Sequence, residues 1–186
     1  MIYPIPFPKS PDYVLNDKFF SDDEIENIFK LSKDIEYKKG PVVEGSEKNV
    51  RECLVKNLPW NDNFSWLYDK IILDIINVNN SNFRFSINGI EGLQLIKYVK
   101  DSIGYLQHKD TIDVSPGIKR KISMSVQLSD SKQYSGGEMM VNARYVLSKD
   151  KGYAIIFKSD LMHQVLPISS GERYSLVAWV CGAYVE

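Results

Sequence analysis

The spacing of hydrophobic residues along this chain changes once, near residue 83. Before that point they recur at helical intervals: Ile25, Ile28 and Phe29 make one stripe, and Phe64, Leu67, Ile71, Ile75 and Val78 make another. Ser21-Asp22-Asp23-Glu24 has the form of a capping box, in which a serine hydroxyl and a glutamate carboxylate satisfy backbone N–H groups that the first turn leaves open, and Phe20 and Ile25 are placed to staple the entry. The pattern predicts a first helix running to about residue 34 and a second over 63–78. An exposed loop is expected over 38–48 and a short strand over 51–56. Tyr3-Pro4-Ile5-Pro6-Phe7-Pro8 predicts an extended segment along the outside, because each proline fixes its own φ and steers its predecessor away from helix.

From Phe83 onward the period is two. Phe83, Phe85 and Ile87 alternate, and Gln94, Ile96 and Tyr98 share a face. Further strands are expected at 105–110, 122–128, 138–142, 153–157, 162–166 and 173–180. Turn residues separate them: Ser115-Pro116-Gly117, Ser135-Gly136-Gly137, Lys151-Gly152 and Ser169-Ser170-Gly171. Two helices followed by about eight short strands predict a mainly β fold with N-terminal helices, a double-stranded β-helix (jelly roll) buttressed by two or more helices. One domain is expected over 1–186, helical in about 1–82 and jelly roll in about 83–186.

Composition narrows the function classes. With 44% hydrophobic and 25% charged residues the chain can bury a core, which excludes disorder as its overall state. A net charge of −1 argues against a nucleic-acid or anionic-membrane partner. No apolar run approaches a membrane span and the first residues lack a signal-peptide pattern, so a cytoplasmic location is expected. Cys53 and Cys181 are far apart and outside any CxxC pattern; both are expected to be buried and reduced. The two histidines, His108 and His163, are too few for a multi-histidine zinc site.

Those two histidines carry the candidate chemistry. His108 and Asp110 lie two residues apart on an expected strand, so the pleat turns both toward one face. His163 heads a later strand, and two histidines with one carboxylate are the facial set that leaves positions open on non-haem Fe(II). Downstream, a hairpin turning at Ser170-Gly171 would bring His163 and Arg173 together from neighbouring strands, with Arg173, Ser175, Val177 and Trp179 on one face. A guanidinium there suits a carboxylate, and Ser175 adds a hydroxyl donor. The remaining polar features read plainly. Asp101, Asp113, Asp130 and Asp160 lie near turns, Gly136-Gly137 serves a hairpin or bulge, and Lys119-Arg120-Lys121 reads as a solvated edge. Tyr3, Phe7, Trp60, Trp66 and Tyr68 read first as packing residues.

The set His108-x-Asp110, His163 and Arg173-x-Ser175 resembles the 2-oxoglutarate- and Fe(II)-dependent oxygenases. The surrounding text is similar to their prolyl-4-hydroxylase-like branch, in order: Gln94-Leu95-Ile96-Lys97-Tyr98, Gly104 through Asp110, Arg120-Lys121-Ile122-Ser123, Val126 through Asp130, Tyr134-Ser135-Gly136-Gly137-Glu138, and Phe157-Lys158-Ser159 through Trp179. The N-terminal part is similar in kind to small bacterial and phage-encoded members. The resemblance implies that His108, Asp110 and His163 hold iron, that Arg173 binds the distal carboxylate of 2-oxoglutarate, and that Tyr98 hydrogen-bonds the same cosubstrate. Some eukaryotic relatives carry a second cosubstrate tyrosine where this chain has Gln127, which stands either as a donor to that carboxylate or as a packing residue. Trp179 either walls the iron chamber or sits in the core. Fe(II), 2-oxoglutarate and O2 are the implied cofactor set, with ascorbate as reductant. The implied activity is hydroxylation of a prolyl residue in a protein or peptide, with succinate and CO2 released. Recognition would fall to the N-terminal helices and the loops at 109–119 and 129–135. Hydroxylation of another residue or a small metabolite, or a non-catalytic 2-oxoglutarate-binding jelly roll, are the rival readings.

Overall fold

A computed structural model describes residues 10–40, 50–145 and 147–184 of the chain. Strand β1 (Tyr13–Asn16) leads into helix α1 (Asp22–Leu31). The capping box forms at its start: Ser21 Oγ accepts from Glu24 N (3.2 Å) and Ser21 N donates to Glu24 Oε2 (2.8 Å). The helix ends about a turn earlier than its hydrophobic stripe predicts, closed by Ser32 N on Ile28 O. Strands β2 (Lys38–Lys39) and β3 (Leu54–Leu58) precede α2 (Ser65–Val78). The predicted prolyl segment of residues 3–8 and most of the predicted loop lie outside the described residues.

After α2 the chain departs from the predicted strand. Residues Asn79–Phe83 form a π-helical extension, and Arg84 turns out of it with φ 60°. The side chain of buried Asn79 enforces this exit by accepting from Phe85 N (2.9 Å) and donating to Phe85 O (3.0 Å). The alternation of Phe83, Phe85 and Ile87 therefore serves side-chain packing against the core, without strand pairing. The remaining strands are β4 (Gly89–Ile90), β5 (Leu93–Val99), β6 (Tyr105–His108), β7 (Asp113–Ser115), β8 (Ile118–Gln127), β9 (Tyr134–Gly136), β10 (Met139–Val141), β11 (Arg144–Tyr145), β12 (Ala154–Lys158), β13 (His163–Val165) and β14 (Ile168–Ala183).

Among the described residues these strands make two antiparallel sheets. The larger runs β1-β12-β8-β14-β5-β3-β2, with β4 and β9 also on β14 and β7 on β8; the smaller runs β11-β10-β13-β6. This is the predicted jelly roll, and the larger sheet is extended by the strand expected over 51–56, formed as β3, and by two strands that the pattern does not predict, β1 and β2. Alternation gives that sheet two different faces. Leu95, Met124, Val126, Leu176, Ala178 and Val180 pack under Ile25 and Ile28 of α1 and Leu67, Ile71 and Ile75 of α2. Each Val, Leu, Ile or Met side chain among them, fully buried, contributes about 1.5–3 kcal/mol. The opposite face, with Ile96, Tyr98, Arg173 and Ser175, turns toward the smaller sheet.

The predicted hairpin between His163 and Arg173 is not formed. The chain leaves the smaller sheet at Leu166-Pro167 and enters the larger one at Ile168, so β13 and β14 belong to different sheets. Ser169 is the extra residue of a bulge in the pairing of β14 with β9, Ser170 and Gly171 pair onward with Ser135 and Tyr134, and the stretch does not reverse the chain. His163 and Arg173 thus face one another across the sandwich. Cys53 and Cys181 are free thiols, Cys181 buried and Cys53 half-buried. Tyr68 is a core residue whose hydroxyl donates to Leu58 O and accepts from Leu93 N, whereas Trp60 stacks on it at the surface. Because Leu67 is fully enclosed between helix and sheet, Leu67→Ala is expected to lower unfolding free energy by about 2–5 kcal/mol in denaturant titration.

Candidate metal centre

His108 ends β6 and His163 begins β13, and the two are directly opposite in the pairing of those strands. Between this pair and the Val165–Tyr105 pair, β13 advances two residues while β6 advances three. That extra residue is a β-bulge, which breaks the two-residue alternation and brings Tyr105 to the face of His108. The two rings stack with centroids 3.4 Å apart. Asp110 follows just beyond the strand. Its backbone N–H and that of Thr111 both donate to Ser159 O, and Ser159 Oγ lies 2.9 Å from Ser123 Oγ on β8. The carboxylate is thereby tied to the larger sheet while the imidazoles sit on the smaller one.

The three side chains converge. His108 Nε2 is 3.5 Å from Asp110 Oδ1 and His163 Nε2 is 3.4 Å from Asp110 Oδ2. One ligand atom from each lies within 4.8 Å of the others, the span of a shared ion. Each imidazole is aimed by its other nitrogen: His108 Nδ1 lies 2.8 Å from Leu106 O and His163 Nδ1 lies 3.0 Å from Leu161 O. A proton on Nδ1 satisfies each carbonyl and leaves the Nε2 lone pair for a metal, the arrangement that orients metal-binding histidines. When the imidazoles also carry a proton on Nε2 they donate it to Asp110: burial alone would raise the Asp110 pKa, but these hydrogen bonds outweigh it and hold the carboxyl well below its ordinary value. Burial would lower His163; its contact with Asp110 reverses that and raises it. The donor set of two imidazoles and one carboxylate fits Fe(II) with open positions.

Across the chamber, Arg173 on β14 is opposite Tyr98 on β5, with its guanidinium 5.6 Å from the phenol ring. It is 1% exposed, its Nε has no partner, and Nη1 makes one long contact to Ser175 Oγ (3.4 Å). No carboxylate among the described residues pairs with it. A guanidinium buried in this way is costly unless an anion completes it, so the chamber fits a carboxylate ligand. Room for the arginine comes from Gly137. At φ 68° it adopts a conformation that favours glycine, and a Cβ there would stand 2.8 Å from Arg173 Cδ. Burial pushes the Tyr98 phenol up to about 12, so it is a neutral donor at physiological pH.

The chamber wall thus brings together His108, Asp110, His163, Arg173, Tyr98, Ser175 and Trp179. Gln127 is not among the lining residues: although opposite Ser175 in register, it spends its amide on Tyr134 Oη (2.9 Å) and Ser129 O (3.4 Å). Trp179 carries Arg120 over its ring at 4.1 Å, and Arg120 is held bidentately by Glu91 at 2.5 and 2.7 Å. The middle of the basic tripeptide therefore braces the chamber from outside. Sequence reasoning missed Tyr105, Arg51, Met139 and Phe157, which also line it. The bulge hides Tyr105 from any alternation argument, and the others read as ordinary strand residues.

Residues 93–181 match the 2OG-Fe(II) oxygenase superfamily. A PKHD-type hydroxylase of Prochlorococcus marinus (strain MIT 9215) is 30% identical over 117 residues, which are 61% of this chain and 51% of the relative. The chain spans about half the length of the curated relatives it matches. Among solved structures, the viral collagen prolyl hydroxylase of Paramecium Bursaria Chlorella virus-1 superposes with TM-score 0.69 at 21% identity, covering 93% of this chain and 97% of that one. A prolyl hydroxylase from Trichoplax adhaerens, solved with a peptide fragment of the hypoxia inducible factor oxygen degradation domain, gives TM-score 0.72 at 16% identity, covering 91% and 83%. The matched segment spans the ligand triad and Arg173, so the part of the chain that carries the site is similar to the 2OG-Fe(II) oxygenase superfamily.

Asp110→Asn keeps the shape of the carboxylate and removes its charge. Metal titration of this variant is expected to show Fe(II) affinity reduced by at least about 100-fold, with the far-UV circular dichroism unchanged.

Proposed function

We propose that this chain is a 2-oxoglutarate- and Fe(II)-dependent dioxygenase that hydroxylates an unactivated C–H, with a prolyl residue of a peptide or protein as its target. The observation that carries this reading is the pairing, across one chamber, of an iron-type donor triad with a buried arginine that has no protein carboxylate beside it. His108, Asp110 and His163 would hold Fe(II), and Arg173 with Ser175 would hold the distal carboxylate of 2-oxoglutarate. When bound, the metal and cosubstrate supply the oxidising chemistry, in which O2 is consumed, 2-oxoglutarate yields succinate and CO2, and one oxygen enters the substrate.

The chain's own contribution is positioning and exclusion of water. Arg173 offers parallel N–H donors from a fixed plane, which sets the orientation of a carboxylate as well as its presence. Tyr98, neutral and fully buried, is placed to donate to the same ligand. Gln127 acts at one remove by holding Tyr134, whose ring closes over the arginine stem beside Gly137. Ile96, Met139, Phe157, Val177 and Trp179 make the rest of the wall apolar, so water competes poorly at the open face. Ascorbate enters only as the reductant that keeps the iron ferrous.

A peptide substrate is supported by the rim. Leu106 (48% exposed), Ile112 (45%) and Val114 (39%) stand in solvent on the segments that flank His108 and Asp110, an apolar edge that a bound chain would cover. The Trichoplax relative of this fold, solved with a peptide fragment, supports a peptide as the class of substrate.

Anaerobic addition of Fe(II) and 2-oxoglutarate to the chain is expected to give a visible charge-transfer band that His108→Ala abolishes. Admitting air should release succinate, and mass spectrometry of proline-containing peptides should show one added oxygen. An intact protein with no band would sink the dioxygenase reading. A band without succinate would leave a non-catalytic binding module. Replacing Arg173 with Met should raise the KM for 2-oxoglutarate by about 100-fold or more, since it removes a bidentate charge-assisted pair from a dry site.

A further inference from the structure

The chamber contains a second buried guanidinium that the dioxygenase chemistry leaves unused. Arg51 is 8% exposed, and its Nε, like that of Arg173, has no hydrogen-bond partner. It is held by a β-bridge to Tyr105, with its guanidinium 5.0 Å from the Tyr105 ring centre. That ring stacks in turn on His108. Arg51 lines the same chamber as the metal ligands, with the Tyr105 ring between its guanidinium and His108. Its polar neighbour is Cys53, whose thiol is pushed up by burial and so stays neutral. No carboxylate among the described residues forms an ion pair with Arg51.

Arg51 also forms the inner end of a cleft of about 310 Å³ on the outer side, between β2, β3 and β5. The charges along this cleft are unbalanced. Glu52 accepts from the backbone N–H of Ile103 (3.0 Å) and keeps its single negative charge, while Lys97 is neutralised by Glu172 (2.7 Å). Lys39 at the mouth and Arg51 at the floor have no such compensation among the described residues. One cation, nine-tenths buried and reached through a basic cleft, is what a carboxylate-binding subsite requires.

We infer that Arg51 anchors a carboxylate of the primary substrate, which enters along the cleft while the carbon to be hydroxylated is presented at the metal. The carboxylate is either an acidic side chain next to the target residue or the terminal carboxylate of a short peptide. This inference rests on the proposed dioxygenase function and adds a substrate class to it.

The test uses the full chain loaded with Mn(II) and 2-oxoglutarate, so that no turnover occurs, and three probes compared by calorimetry. The probes are N-acetyl-Pro-Glu amide, N-acetyl-Pro-Gln with a free terminal carboxylate, and the neutral N-acetyl-Pro-Gln amide. At least one acidic probe should bind about tenfold or more tightly than the neutral one, the scale of one charge-assisted bond in a dry site, and which of the two does so identifies the source. Arg51→Gln should erase that preference and Arg51→Lys should retain part of it, both with 2-oxoglutarate affinity unchanged. The lysine variant keeps the test valid if the glutamine variant does not fold. Equal binding of all three probes to the native chain would overturn the inference. So would a preference that survives in Arg51→Gln, or a parallel loss of 2-oxoglutarate affinity. Failure of the native chain to take up 2-oxoglutarate at all would instead remove the dioxygenase reading, a result seen before any peptide is added.

Discussion

Strand β14 has to satisfy two incompatible environments at once, and the architecture follows from that requirement. It runs the length of the larger sheet with β8 on one side and β5 on the other, so its backbone is paired along both edges. Leu176, Ala178 and Val180 point to the helices. Arg173, Ser175, Val177 and Trp179 point to the smaller sheet. The helical side drives assembly by apolar burial. The other side carries an uncompensated charge into the interior, which only a robust partner face could tolerate. The helices thus do more than cover the sheet, because their packing offsets the cost of holding a reactive chamber on the reverse.

The chamber itself is a junction of two sheets that share no strand. The imidazoles come from the smaller sheet and the guanidinium from the larger, while Asp110 hangs from Ser159 and, through it, from Ser123. A metal bound to all three ligands would bridge the sheets as a tie, and its affinity is linked to how tightly the sandwich closes. The second buried arginine sits at the same junction, on the side where β3 and β6 approach each other. Charge in this interior is consequently arranged as an anionic carboxylate at the metal, with one guanidinium across the chamber and another behind Tyr105.

The parts of this molecule that were legible in its sequence are those set by near neighbours. The capping box, the stripe of α2, and the two-residue spacing of His108 and Asp110 each depend on residues within a turn or a strand. The placing of His163 and Arg173 in one chamber was also anticipated, but by the wrong route. Ser170-Gly171 has turn chemistry, yet in the fold it continues β14 just after a bulge at Ser169, since that edge of β14 is already engaged by β9. The exit from α2 was misread because Asn79 reaches forward to Phe85, a contact that periodicity does not register. Arg51 was invisible for a related reason: its burial depends on a bridge to Tyr105, and nothing local distinguishes it from a surface arginine before a strand.

The bulge in β6 makes chain length, more than side-chain chemistry, the restrictive property of that short segment. Leu106 and Gln107 are exposed and free to vary in kind. Their number is not free. Removing one residue would keep His108 opposite His163 but straighten the strand, losing the bend and added twist by which the bulge aims the ring and leads the chain to Asp110. In this stretch a conservative deletion is therefore more damaging than a radical substitution, and the segment's length is a better marker of a working centre than the residues at its exposed positions.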